Sequence, residues 1–160
     1  MTTRKTEIKW AIIFFFTTLV WMWLEKIAGL HSVHYDKHYI VTNLFAVPAI
    51  LIYVLALLDK RKNAYGGVMT YKQGVVTGLT ITLIVTLLSP LSQYIVSAVI
   101  TPGYFSVAID YAISEGKMTL EEAQASFNMR NYITQTLIFT PVMGIVTTLI
   151  VAIFTRRKAV

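Results

Sequence analysis

An all-α polytopic membrane protein is the fold class that the sequence predicts, with four transmembrane helices and a short helical outer-face lid between the third and fourth. Three observations predict it. Charge-free apolar stretches occupy residues 10–24, 39–58, 73–109 and 131–155, and a bilayer core of roughly 30 Å takes about 20 helical residues to cross. Hydrophobic residues make up 56% of the chain and charged residues 14%, which is too little polar surface for a water-soluble domain of this size. Between the last two spans lies a segment of roughly 30 residues that carries helix caps, longer than the usual connection in a bundle.

The spans are expected at about 8–25, 39–58, 74–92 and 132–155, within one domain over 1–160. The first is short in uncharged residues, and Lys9 extends it by reaching for the headgroups. Its basic start, Arg4 and Lys5, resembles that of a signal peptide. However, no small-x-small cleavage site follows Trp21-Met22-Trp23, and Glu25-Lys26 comes instead, so a retained helix is expected. In the second span Pro48 sits early, either as a bend or as a helix-start residue. Residues 73–109 number 37, nearly twice the bilayer core at 1.5 Å per residue, so they are not one crossing. Ser89-Pro90 predicts a kink or exit, with 91–100 continuing at the outer interface as far as the stop at Thr101-Pro102-Gly103.

Past that stop, 104–114 is helix-compatible with Gly116 as terminator, and Thr119-Leu120-Glu121-Glu122 reads as a capping box opening a second helix over 120–130. The pair is expected to form a lid. A hairpin resting on headgroups through Tyr104, Phe105, Tyr111 and Phe127 is the alternative. The fourth span contains Pro141, again in the first half of its stretch.

Charge sets the expected topology. Alternating the loops gives one side Arg4, Lys5, Lys9, Lys60, Arg61, Lys62, Lys72, Arg156, Arg157 and Lys158, and the other side Lys26, Lys37, Lys117 and Arg130. Ten against four places both termini in the cytoplasm. Acidic residues follow the opposite bias, so the cytoplasmic face carries about +8 and the outer face about −2 of the net +6. The basic balance therefore reads as a signature of orientation that draws anionic lipids. Nucleic acid is not an expected partner, since the cations form three separate juxtamembrane clusters without a recognition motif.

Candidate chemistry is sparse. With no cysteine, thiolate metal sites, iron–sulfur clusters and disulfides are excluded. His31, His34 and His38 fall within a 60° arc if their segment is helical, a spacing at which imidazoles can ligate zinc, copper or nickel. The other reading of these residues is interfacial anchoring near a helix start. Glu25 and Lys26 close the first span, where a buried carboxylate can serve as a proton or cation site and an ordinary ion pair is the plainer account. The span centres carry no ionisable residue, which argues against a proton relay, a voltage sensor or a charged transport path. Thr77, Thr80, Thr82 and Thr86 with Gly74-x-x-x-Gly78, and Thr140, Gly144, Thr147 and Thr148, suit close helix packing. The same hydroxyls would line a polar path if several faced one cavity. No nucleophile elbow or phosphate-binding loop is present, so no enzyme activity and no cofactor are expected.

Four segments carry a family resemblance: Glu25-Lys26-Ile27-Ala28-Gly29-Leu30-His31, Ala56-Leu57-Leu58-Asp59-Lys60-Arg61, Met69-Thr70-Tyr71-Lys72-Gln73-Gly74, and 119–127. Together they resemble a family of four-helix inner-membrane proteins, typical of Bacteroidota, known only as a domain of unknown function. The resemblance implies a bacterial inner-membrane location and four spans, and brings no activity or site residue with it. The expected function is that of a non-enzymatic packing or interaction partner, meeting lipids and either a second copy or another membrane protein. The alternatives are a small-solute carrier or channel, for which a cavity lined by the threonines is the discriminating observation, and an outer-face metal-binding protein.

Overall fold

The computed structural model describes residues 4–157. Lys158, the last member of the terminal basic cluster, lies outside them. Within them the chain forms helices α1 (Lys5–Ile27), α2 (Tyr35–Asn43), α3 (Ala46–Ala64), α4 (Tyr71–Ile95, continued by a π turn Val96–Ile100), α5 (Tyr104–Ser114), α6 (Leu120–Ser126) and α7 (Met129–Thr155). Four helical segments, Lys5–Ile27, Tyr35–Ala64, Tyr71–Ile100 and Met129–Thr155, are long and apolar enough to cross a membrane.

The second of these segments bends between α2 and α3. Leu44 and Phe45 donate to the carbonyls of Val41 and Thr42 in tight turns, and Pro48 then occupies the first turn of α3, where a missing N–H costs nothing. Pro48 is thus a helix-start residue. Of the expected kink or exit at Ser89-Pro90 the third segment makes no exit, because α4 runs on through Pro90 and helical structure continues to Ile100, as expected for 91–100. Proline cannot donate to the carbonyl of Thr86 four residues earlier, and the Ser89 hydroxyl donates to that carbonyl instead, at 2.8 Å. The helix ends where Thr101 closes it, its N–H and hydroxyl both donating to the carbonyl of Val96.

The lid helices form as a pair, with α5 packed on α6 and touching α2. Thr119 caps α6 in a reciprocal box with Glu122. The second lid helix ends earlier than the expected 120–130, at Ser126. Asn128 interrupts it by capping the next helix, its side chain accepting from the N–H of Asn131 at 2.9 Å, so α7 starts at Met129. A second capping box, Thr70 with Gln73, opens α4.

Within the bundle α4 packs chiefly on α7 and then on α1. The α4–α7 seam is built from reciprocal small residues. Gly74 lies against Ala152, Gly78 against Thr148 and Gly144 against Thr82, and a Cβ on Gly78 or Gly144 would collide with the facing threonine. Tyr53 reaches from α3 to bond Thr82 at 2.8 Å. A core of Ala11, Tyr53, Ala56, Leu57, Met69, Ile81, Val85, Val151 and Ala152 fills the middle, while α7 leaves Leu137, Phe139, Val142, Met143, Val146 and Ile150 exposed, as a lipid-facing helix does.

The two ends of the bundle differ. Where the termini meet, Met69 and Arg157 exchange backbone bonds, Arg61 donates to the Thr155 carbonyl, and Lys60 and Glu7 form a buried ion pair at 2.9 Å. Lys9 and Trp10 both donate to Asp59. The lid covers the other end.

Candidate functional site at the lid end

The site begins with a turn. Gly29 adopts a φ of 75°, a conformation that suits glycine, and its carbonyl accepts from the N–H groups of Ser32 and His34. Residues 28–34 are therefore a compact turn, and the helical arithmetic that aligns His31, His34 and His38 does not apply across it. The chain folds back so that His31 meets the end of α1. His34 is exposed at the start of α2, apart from the other two.

Glu25 is the centre of what the turn assembles. It is 2% exposed, and four side chains converge on its carboxylate. Trp21 Nε1 donates to Oε1 at 2.5 Å, Thr42 donates at 2.9 Å, His31 Nε2 lies 3.1 Å from Oε2, and His38 Nδ1 lies 3.4 Å from the same oxygen. Among the described residues no lysine or arginine pairs with it, and Lys26 is exposed. The expected Glu25–Lys26 ion pair is thus replaced by a carboxylate held by indole, hydroxyl and imidazole groups in a dry setting, an arrangement that can take an added cation.

The lid contributes Tyr104. Its hydroxyl lies 3.0 Å from His38 Nε2, 3.4 Å from the Tyr132 hydroxyl and 3.5 Å from the Tyr35 hydroxyl. Burial pushes the Tyr104 phenol far above its ordinary value, so it stays protonated and serves as a hydrogen-bonding group. His38 is consequently engaged on both ring nitrogens, with Tyr104 on one side and Thr42 and Glu25 on the other. His31 is packed edge-on against His38 and Tyr104, and its Nδ1 is buried without a hydrogen-bond partner. The histidines were visible from spacing, but the roles of Thr42, Trp21 and Tyr104 carried no local signal.

Beside this cluster a cavity of about 400 Å³ opens among α1, α3, α4 and α7. Phe14, Phe15, Phe45, Ile50, Phe139 and Met143 give it an apolar wall. Thr18, Ser89, Ser92, Thr136, Thr140 and Thr147 add hydroxyls, and Thr42 and Asn43 lie at the α2 side. Of the threonines singled out from sequence, Thr140 and Thr147 face it. Thr77, Thr82 and Thr148 are buried in the packing.

No curated protein and no solved structure matches the chain. A family model described as "Protein of unknown function (DUF4199)" matches residues 9–157, which takes in the Glu25 cluster, the cavity and the lid. The chain belongs to this DUF4199 family of proteins of unknown function.

Proposed function

We propose that the protein is a non-enzymatic, multi-pass protein of a bacterial inner membrane, with both termini cytoplasmic, that binds a small and mainly apolar solute inside its helix bundle. One observation carries the reading. A cavity of about 400 Å³ lies between the spans, open to the outside along the side where Ile50, Phe139 and Met143 are exposed, and its volume is within the range of small-molecule sites and beyond what close packing of helices leaves. Its apolar wall suits a hydrophobic body, and its scattered hydroxyls suit one or two hydrogen-bonding groups on that body.

Two further points favour this over the interaction-partner reading. The small-residue seam that would serve helix association joins α4 to α7 within one chain, so it offers nothing to a second copy. In addition, the cavity stands beside the buried Glu25 cluster at the lid end, which it meets at Thr42. The cytoplasmic placement of the termini rests on the basic residues gathered at their end of the bundle.

Native mass spectrometry after mild detergent extraction tests the reading. The wild-type protein should carry a co-purified small molecule, and Ala49→Trp, which fills the cavity from α3, should lose it while remaining helical by circular dichroism. A wild-type protein without any such mass, or one whose adduct survives Ala49→Trp, refutes the proposal.

A further inference from the structure

We infer that Glu25, His31 and His38 form a binding site for one divalent first-row transition-metal ion at the lid end of the bundle. The site does not depend on the solute-binding reading, and its ligand is of a different chemical class.

The donor geometry comes first. One oxygen of Glu25 and one nitrogen from each histidine all lie within 4.8 Å of one another. In a tetrahedral site with metal–ligand bonds near 2.1 Å, neighbouring ligand atoms stand about 3.4 Å apart. Two of the three edges have that size here, 3.1 Å from Glu25 to His31 and 3.4 Å from Glu25 to His38. Two imidazoles and a carboxylate make a donor set that suits zinc, iron, nickel or copper, and leave room for a further ligand.

The supporting contacts are those of ligands held in place. Tyr104 engages His38 through Nε2 and so turns Nδ1 toward Glu25, which is how outer contacts orient a metal-binding imidazole. Trp21 and Thr42 fix the carboxylate. Charge favours the same conclusion, because the buried carboxylate has no lysine or arginine partner among the described residues. His31 is itself dry, its side chain 3% exposed, and it turns Nε2 to Glu25, while Nδ1, on the far side of the ring, is left without a hydrogen-bond partner and outside the donor set.

The chain path explains why these residues rather than the three histidines form the site. Gly29 reverses the backbone and carries His31 onto Glu25, six residues before it in sequence, while His34 stays on the surface.

Zinc chloride titrated into the full-length, detergent-solubilised protein, followed by calorimetry, is the test, with the visible absorption of added cobalt(II) as a report on the ligand field. Wild type and His34→Ala should each take up one ion per chain. His38→Ala and Glu25→Gln should lose measurable uptake, and the carboxamide of Glu25→Gln can still accept from Trp21 and Thr42, which preserves the local fold. Tyr104→Phe should keep the stoichiometry and weaken affinity about tenfold, as loss of an outer contact does. A wild-type protein that takes up no zinc and shows no cobalt spectrum overturns the inference. Uptake unchanged in His38→Ala, or lost in His34→Ala, overturns it equally, since the ion would then sit on exposed histidine.

Discussion

A single backbone angle at Gly29 decides which side chains share the lid-end cluster. A Cβ there would stand 3.1 Å from Val33 Cγ2 and 3.3 Å from His34 Cδ2 in a conformation that L residues seldom adopt. Gly29→Ala is expected to cost about 1–2 kcal/mol, measured as a lowered midpoint of thermal unfolding, and to detach His31 from Glu25. A substitution without effect on unfolding would mean that the turn tolerates a side chain. This position also marks where reading the residues stops being enough. Glu25 is recognisable as a candidate because a carboxylate closes the first span, and the histidines because of their spacing, but their assembly follows from a turn whose geometry no periodicity encodes. Glu7 and Lys60 were hidden for a related reason. Each looks like an ordinary loop charge, and only the packing of α1 against α3 buries them together.

The elements were legible to the extent that their signals were local. Hydropathy located the spans because the membrane imposes length and composition on each helix separately, and the box at Thr119 opened α6 because its four residues contain the whole motif. Pro90 left a kink and an exit both open because the compensation that keeps the helix running, the Ser89 hydroxyl, is a side-chain choice that hydropathy does not register. The α6 cap supports a prediction. The Thr119 N–H and hydroxyl donate to the Glu122 carboxylate and hold its proton affinity below the ordinary carboxylate value. A depressed value in the folded state stabilises α6 above the unfolded value of about 4.3 and loses that contribution as pH falls through the folded one. An NMR titration of the Glu122 carboxyl should therefore show a midpoint below 4.3, and Thr119→Ala should raise it while weakening the helix by about 1 kcal/mol. A normal midpoint in the wild type would show that the box does not persist in solution.

At the scale of the whole molecule the two ends are built from different chemistry, and this separates charges that orient the chain from those that hold it together. Lys62 and Lys72 are exposed, whereas Lys60 is buried on Glu7. Lys60→Gln should destabilise the bundle by about 3–5 kcal/mol, the usual cost of breaking a buried pair. The pair Lys62→Gln/Lys72→Gln should leave stability unchanged and weaken the orientation bias. A carboxyl-terminal reporter measures the second effect and thermal unfolding the first. A reporter active only in the periplasm of cells carrying the wild type would reverse the proposed topology. The cavity lay beyond what the sequence could disclose, because a void is a property of four helices at once and no single helix records it.

Tyr104 joins these scales, since one hydroxyl contacts His38 of α2, Tyr132 of α7 and Tyr35, yet belongs to the lid. Lifting α5 would remove a hydrogen bond from a ring that faces Glu25, and loosening Glu25's neighbours would free the hydroxyl that pins α5. The two events share one free energy, and reciprocity requires that each bias the other by the same amount. Movement of the lid and occupancy of the Glu25 cluster would thus be linked equilibria that share the Tyr104 contact, and a label on α5 would gauge that linkage to a carboxylate on α1.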